Sequence, residues 1–363
     1  MPIKVLMCVN HDVVIYNFRK ELVQACLDQG YEVHISSPLG ERLKPLEGMG
    51  AIVHPMEVDR KSLNPLKDFK LFKAYDHMIK NLKPNIVLTY TIKPNIYASF
   101  AAKKHHIPYI PNITGLGQAF AKKGLIQSIT RMLYRKAFKQ ARVIFVQNPT
   151  HENFMNKLLP KANIKRLPGS GVNLDEYRPL PYPSEEVDQI RFGFIARIMK
   201  AKGIEEFMKA ASNIKKTHPQ TTFHIAGFVD GDYEDRIQEA HKQGLIHYHG
   251  LLKSTVDFMA KCHAVVLPSY HEGLSNVLLE AAACARPIIS TKVPGCQETF
   301  IEGESGFGVP PKDALALEQA MRQFIALTHD EKKRMGMSGK AHVEKTFNRT
   351  LVVEAYLKVI QAI

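Results

Sequence analysis

The sequence predicts an α/β protein made of two doubly wound parallel-sheet domains, and three observations carry that expectation. Short apolar runs alternate with helix-length segments from the start, as at 3–9, 15–29 and 33–36, the pattern of parallel strands joined by crossover helices. That alternation is interrupted by a Pro- and Gly-rich stretch containing Pro179-Leu180-Pro181-Tyr182-Pro183, and it restarts at residues 190–195. A length of 363 residues gives volume for two cores. The expected division is residues 1–168, a linker at 169–189, and a second domain at 190–345.

Composition narrows the partners. With 45% hydrophobic residues the chain is an ordinary globular protein. The net charge of +14 is concentrated in the first 180 residues, which hold 27 Lys+Arg against 13 Asp+Glu, whereas the remainder holds 22 of each. No acidic residue occurs between Asp76 and Glu152. A basic half of this kind suits an anionic partner such as nucleic acid, a phospholipid surface or a polyphosphate substrate; a solvated cationic face is the bland alternative. Cysteines 8, 26, 262, 284 and 296 are scattered and never in a Cys-x-x-Cys spacing, which argues against a disulfide framework or structural zinc and fits a reducing cytosol. No run approaches the roughly 18 apolar residues of a membrane span, and residues 3–9 read as a strand, not a signal peptide.

Taken in order, the first strand at 3–9 leads into the loop Asn10-His11-Asp12, and a helix follows over 15–29, stopped by Gly30. Strands are expected at 33–36, 52–55 and 85–89, separated by helices at 66–82 and 95–105. The strand at 107–110 runs into Asn112-Ile113-Thr114-Gly115-Leu116-Gly117, where the glycines allow either close backbone approach to a ligand or a tight turn. Residues 118–142 should be helical, with Lys122, Lys123, Arg131, Arg135, Lys136 and Lys139 beside Phe120, Ile126, Ile129 and Leu133. Such a pattern suits a helix lying in a membrane interface, which the surrounding acid-free region favours over a core helix with a cationic outer face. Nucleic acid is the weaker partner, because no recognition motif with interleaved stacking aromatics is present.

In the second half the loop Ala196-Arg197-Ile198-Met199-Lys200-Ala201-Lys202-Gly203 stands between the strand at 190–195 and a helix at 204–216. Arginine and lysine at the end of a strand can bracket a diphosphate. Asp230-Gly231-Asp232 has the spacing of an Mn²⁺ or Mg²⁺ pair, although capping of the next helix is the better account of it. His247 and His249 read as structural residues. The densest signal is 262–290: a buried strand closed by Pro268, a loop with Glu272 and Gly273, a helix start at Ser275, and Glu280 inside the helix. The loop end of a parallel strand facing a helix N-terminus is where α/β sheets bind ligands, and N–H groups near Asn276 and Val277 suit a phosphate oxygen.

On Leu267-Pro268-Ser269-Tyr270-His271-Glu272-Gly273 and the second glutamate, Glu280, the chain resembles the retaining glycosyltransferases of family 4, which have the GT-B fold. The resemblance implies two Rossmann-like domains with parallel sheets facing a central cleft, and a last helix, at 346–363, packed back on the first domain. It implies a nucleotide-sugar donor, by expectation UDP-linked, with Glu272 near the sugar and Glu280 on the ribose. Arg197 and Lys202 would stabilise the leaving diphosphate, and Gly273, Ser275, Asn276, Val277 and Leu252 would line the donor. Asn10, His11, Tyr16, Arg19, Thr114, Gly115 and Gly117 would line the acceptor side of the cleft. The sequence departs from the family at three places: no glycine follows the first strand, Thr114-Gly115 stands where many relatives carry histidine, and Ala196 replaces the glycine before Arg197. The stretches at 15–19, 62–65 and 115–117 are similar to the branch that extends glycans on undecaprenyl-diphosphate carriers. The expected function is therefore transfer of a hexose or N-acetylhexosamine to a lipid-diphosphate-linked saccharide at the inner membrane surface, with no metal cofactor. A sugar-nucleotide 2-epimerase of the same fold and a non-catalytic polyanion- or lipid-binding module are the alternatives.

Overall fold

The computed structural model describes residues 2–59, 62, 64–115, 124–184 and 189–363. These fall into two compact units, Met1–Ser170 with Arg349–Ile363, and Gly171–Asn348. In unit one the strands are β1 (Lys4–Cys8), β2 (Glu32–Ser37), β3 (Ile52–Pro55), β4 (Ile86–Tyr90), β5 (Tyr109–Ile113), β6 (Ile144–Val146) and β7 (Ile164–Arg166). They form one parallel sheet in the order β3-β2-β1-β4-β5-β6-β7. Its helices are α1 (Asp12–Asp28), α2 (Lys44–Gly48), α3 (Pro65–Leu82), α4 (Ile92–Lys104), α5 (Leu125–Phe138) and α6 (Pro149–Leu158). Every residue of β4 is buried, as a parallel strand covered on both faces requires.

Two helices start earlier than the sequence suggests. For α1 the reason is a cap: His11 Nδ1 accepts from the Val13 N–H at 3.2 Å, and Asp12 occupies the first turn. For α4 it is Pro94, which falls in the first turn, where no intrahelical donor is needed.

Unit two has β8 (Arg191–Ile195), β9 (Thr222–Ala226), β10 (His247–Tyr248), β11 (Ala264–Leu267), β12 (Ile288–Thr291) and β13 (Gly306–Val309), all parallel in the order β10-β9-β8-β11-β12-β13. Its helices are α7 (Ile204–Thr217), α8 (Glu234–Lys242), α9 (Thr255–Ala260), α10 (Asn276–Ala283), α11 (Ala314–Ala326) and α12 (His329–Thr346). Phe192, Phe207, Phe223 and Phe324 interlock in its core. Arg286 is fully buried, and its guanidinium donates to the carbonyls of Met259 at 2.8 Å and Pro181 at 2.6 Å. That guanidinium also lies over the Tyr182 ring, so the proline-rich stretch is fastened to unit two.

The last helix, α13 (Arg349–Ile360), belongs to unit one. Arg349 pairs with Glu21 of α1 at 2.8 Å, and Tyr356 is buried with its ring 4.7 Å from Phe145 and its hydroxyl accepting from Asn112 Nδ2 at 2.6 Å. All five cysteines are buried free thiols, and burial raises the pKa of each, to about 12 for Cys26 and Cys296, so they behave as small hydrophobes. No helix among the described residues is long and apolar enough to cross a membrane.

Candidate active site

Each sheet reverses its strand order at one place, between β1 and β4 in unit one and between β8 and β11 in unit two. Loops leaving the carboxyl ends of such neighbours run to opposite sides and open a crevice. In unit two those loops are 196–203 and 268–275, the two stretches that carry the charged motifs.

The loops meet through Lys202 and Glu272. Lys202 Nζ forms an ion pair with Glu272 Oε1, and Ser269 Oγ donates to the same oxygen at 2.8 Å. The backbone makes this meeting obligatory. Gly203 has φ 76°, and a Cβ there would stand 2.2 Å from the Pro268 carbonyl oxygen, so only glycine lets the two loops touch. The Tyr270 N–H donates to Ala201 O at 2.9 Å, and its hydroxyl donates to Glu206 Oε1 on α7 at 2.8 Å. From the other side, the Ser275 N–H bonds to Gly295 O at 2.8 Å, and a Cβ on Gly295 would strike the Glu272 carbonyl. Ala196, in place of the family's glycine, is not among the residues of positive φ, and alanine fits there without strain.

Arg197 is half-exposed and pairs with Asp230 at 3.3 Å. Helix capping by the aspartates is therefore a misreading: α8 begins at Glu234 with Tyr233 at its N-cap, and no side chain caps it. The ion pair to a residue 33 positions earlier takes Asp230 instead. Among the described residues no group of three His, Cys, Asp or Glu is placed to hold a metal ion.

The residues expected on the donor side cluster at the start of α10. Gly273 precedes it, and Ser275 occupies the N-cap position with extended backbone, but its buried hydroxyl makes no capping bond, contrary to the residue type's usual role. The N-terminal N–H groups of Asn276 and Val277 are thus left without a side-chain cap. Asn276 also keeps a buried Oδ1 with no partner. Glu280 lies beside Tyr177, whose phenol is pushed up by burial and then by the Glu280 carboxylate. The Tyr177 hydroxyl is 3.2 Å from Thr255 Oγ1 at the start of α9, and half-buried Leu252 lies in the loop just ahead. Ser269 and Tyr270 stood in the motif after Pro268 without an assigned role, and Tyr177 was missed, since no local pattern marks it.

His247 and His249 stack on His224 of β9, with centroids 4.8 and 5.2 Å apart. Burial, then the neighbouring imidazoles and Arg191, push His224 down to about 3. The stack is neutral and structural.

In unit one, Asn10 and the capping His11 lie at the carboxyl end of β1, and Thr114 and Gly115 lie half-buried at the end of β5. Half-buried Tyr16 sits under the side chains of Lys20 and Arg42. Arg19 is different from the expectation: it is 2% exposed, with its guanidinium 4.9 Å from the Tyr90 ring and donating to Phe18 O. That is a packing position inside the domain, not one facing an acceptor. Gly117, Lys122 and Lys123 lie outside the described residues.

Residues 189–326 match the family described as "Glycosyl transferases group 1", and residues 4–148 match "Glycosyl transferase 4-like". The chain is a family 4 glycosyltransferase. This glycosyltransferase is 28% identical over 361 residues, 95% of its length and 94% of the relative's, to the N,N'-diacetylbacillosaminyl-diphospho-undecaprenol alpha-1,3-N-acetylgalactosaminyltransferase of Campylobacter jejuni. It is 25% identical over 342 residues to the capsular polysaccharide biosynthesis glycosyltransferase CapM of Staphylococcus aureus, covering 89% of this chain and 88% of that one. HepE of Anabaena in complex with UDP matches its structure with a TM-score of 0.80 over 100% of both chains at 15% identity. A glycosyltransferase of Rickettsia africae gives 0.80 over 99% and 98% at 18% identity. The glycosyltransferase therefore has the GT-B fold.

Proposed function

We propose that this glycosyltransferase moves a hexose or N-acetylhexosamine, with retention of configuration, from a UDP-sugar to a saccharide carried on a lipid diphosphate. The observation that carries the reading is the convergence of Lys202 and Glu272 from the two loops at the switch point of unit two. When the donor binds, Lys202 and Arg197 exchange their carboxylate partners for the diphosphate, which gains negative charge as the sugar departs. The uncapped start of α10 faces the same anion. Glu272, released from Lys202, accepts hydrogen bonds from sugar hydroxyls, and Glu280 takes the ribose diol. The acceptor hydroxyl attacks from the face the diphosphate leaves, and the departing phosphate oxygen takes its proton. No metal is required, because the two cations supply the charge.

The lipid-linked acceptor is supported by the name of the Campylobacter relative, whose acceptor is an undecaprenol-diphospho saccharide. UDP is supported by the ligand of HepE. The exposed Arg135 and Lys136 of α5, within the stretch lacking acidic residues, suit an anionic inner-membrane surface. Asn10, His11, Tyr16, Thr114 and Gly115 take the acceptor side.

The test is incubation with UDP-hexoses and UDP-N-acetylhexosamines, with and without a polyprenyl-diphosphate saccharide, read by mass spectrometry. A one-sugar mass gain on the acceptor supports the assignment. Isomerised donor without acceptor would make the protein an epimerase instead, and neither product would overturn transfer altogether.

A further inference from the structure

We propose that unit one carries a separate site for one anionic single-chain lipid, lodged along the outer side of α4. A groove of about 1000 Å³ runs between α3, α4 and α5, lined by Phe72, Ile96, Phe100, Ile129 and Leu133 among others. Its mouth is apolar too, with Phe69 57%, Ile126 48% and Ile129 44% exposed, an exposed apolar surface of the kind that marks a binding site. At Lys103, His106 and Gln140 the groove joins a smaller recess of about 320 Å³ that adds Arg142.

The recess is cationic. The Lys103 ammonium donates to the Lys136 carbonyl and the Arg142 guanidinium to the Ala362 carbonyl, and among the described residues neither side chain pairs with a carboxylate. The nearby acids are already matched, Asp68 by Lys93 at 2.7 Å and Asp76 by Lys104 at 2.7 Å. An apolar slot ending in two unneutralised cations is complementary to a hydrocarbon chain ending in a phosphate. Length agrees: α4 rises about 18 Å from Ile92 to Lys104, close to the roughly 15 Å depth of one leaflet's hydrocarbon.

The place of the cations favours a single-chain phospholipid over the acceptor. The recess lies at the amino end of β5, around Ile107, Pro108 and Tyr109, whereas the crevice of the sheet is at the carboxyl ends. An acceptor diphosphate held by Lys103 and Arg142 would lie at the edge of the sheet away from that crevice. A second copy of the chain would bring two cationic rims together.

The probe is lysophosphatidylglycerol with one myristoyl chain, below its micellar concentration, added to the full chain and followed by native mass spectrometry and calorimetry. One lipid per chain is expected. Changing Lys103 and Arg142 together to Gln should weaken binding about 30-fold if each cation contributes as it does at an anionic surface. Phe69→Ser and Ile129→Ser, both at exposed positions, should each weaken it about tenfold, with unchanged thermal unfolding as the check on folding. Lysophosphatidylcholine should bind more weakly than the anionic lipid. Transfer to a soluble short-tail acceptor should be unaffected by all these variants, so loss of this site and loss of the transferase reading are told apart. The proposal is overturned by absent or non-stoichiometric binding, or by equal binding to wild type and variants. It is also overturned if geranyl phosphate displaces the lipid at lower concentration, which would give the groove to an isoprenoid. A concentration-dependent dimer abolished by Phe69→Ser would give it to a second copy. Binding seen only after residues 116–123 are replaced by Gly and Ser would give it to the chain itself.

Discussion

Replacing Gly203 with alanine acts on the contact that brings the two charged loops together. At φ 76° an L residue costs about 1–2 kcal/mol. The added Cβ would also stand 2.2 Å from Pro268 O, where ordinary contact begins near 3.4 Å, so the loops must part by about 1 Å. Lys202 and Glu272 ride on those loops, and misplacement of about 1 Å costs about 100-fold in rate, or about 2.7 kcal/mol. Gly244→Ala is the control: its φ is 69°, but nothing lies within 4 Å of the new Cβ, so it bears the backbone cost alone. Denaturant titration should show about 1–2 kcal/mol lost in Gly244→Ala and at least as much in Gly203→Ala. Donor kcat/KM should fall about 100-fold in Gly203→Ala only. Wild-type kcat/KM in that variant would refute the view that this close approach positions the charges.

Glu280→Ala should weaken UDP binding by about 1.5–3 kcal/mol, the worth of a hydrogen bond to a charged group; unchanged affinity by calorimetry would make Glu280 structural. Activity should survive EDTA, and loss on chelation with recovery on Mn²⁺ would defeat the metal-free mechanism. Arg135→Gln with Lys136→Gln should reduce sedimentation with anionic vesicles at low salt, and salt should do the same to the wild type, since the attraction decays over about 8 Å at physiological ionic strength; salt-insensitive sedimentation would sink the electrostatic account. Burial holds His151 and His263 down at about 4, so the unfolded chain takes up protons first as pH falls below about 6.5. Their stabilising effect is complete above that pH and is lost progressively towards about pH 4, by about 1.4 kcal/mol per pH unit for each histidine. Urea midpoints that stay level between about pH 7 and pH 5 would contradict this.

The strand and helix alternation was legible where strands are short apolar runs bounded by loop residues, as at 4–8, 86–90 and 264–267, whereas β7, Ile164-Lys165-Arg166, carries no such signal. The places of Arg197, Lys202, Glu272 and Glu280 were legible because these residues lie on loops and in a helix fixed by local pattern. Long-range partners were not. Nothing near Asp230 in sequence announces that Arg197 will claim it, and nothing near Arg19 announces two tyrosines, Tyr90 and Tyr356, waiting in the interior. Ser275 has the residue type of a cap and the backbone of one, yet its hydroxyl is turned away from the role. The glycine of the Lys-Gly pair was visible as a letter, but its reason, the Pro268 carbonyl, exists only after folding.

The return of α13 to unit one has a consequence for synthesis. Tyr356, Val352 and Ile360 are core residues of the unit whose other strands and helices precede residue 171. A ribosome adding about 5–20 residues per second takes about 10–35 s to translate the intervening second unit. Throughout that interval the nascent first unit presents the greasy face around Phe145 and Tyr90 to the cytoplasm or to a chaperone. Unit two meanwhile holds all its own strands and can close without waiting. A message truncated just after Asn348 would therefore spoil the part of the protein that was made first.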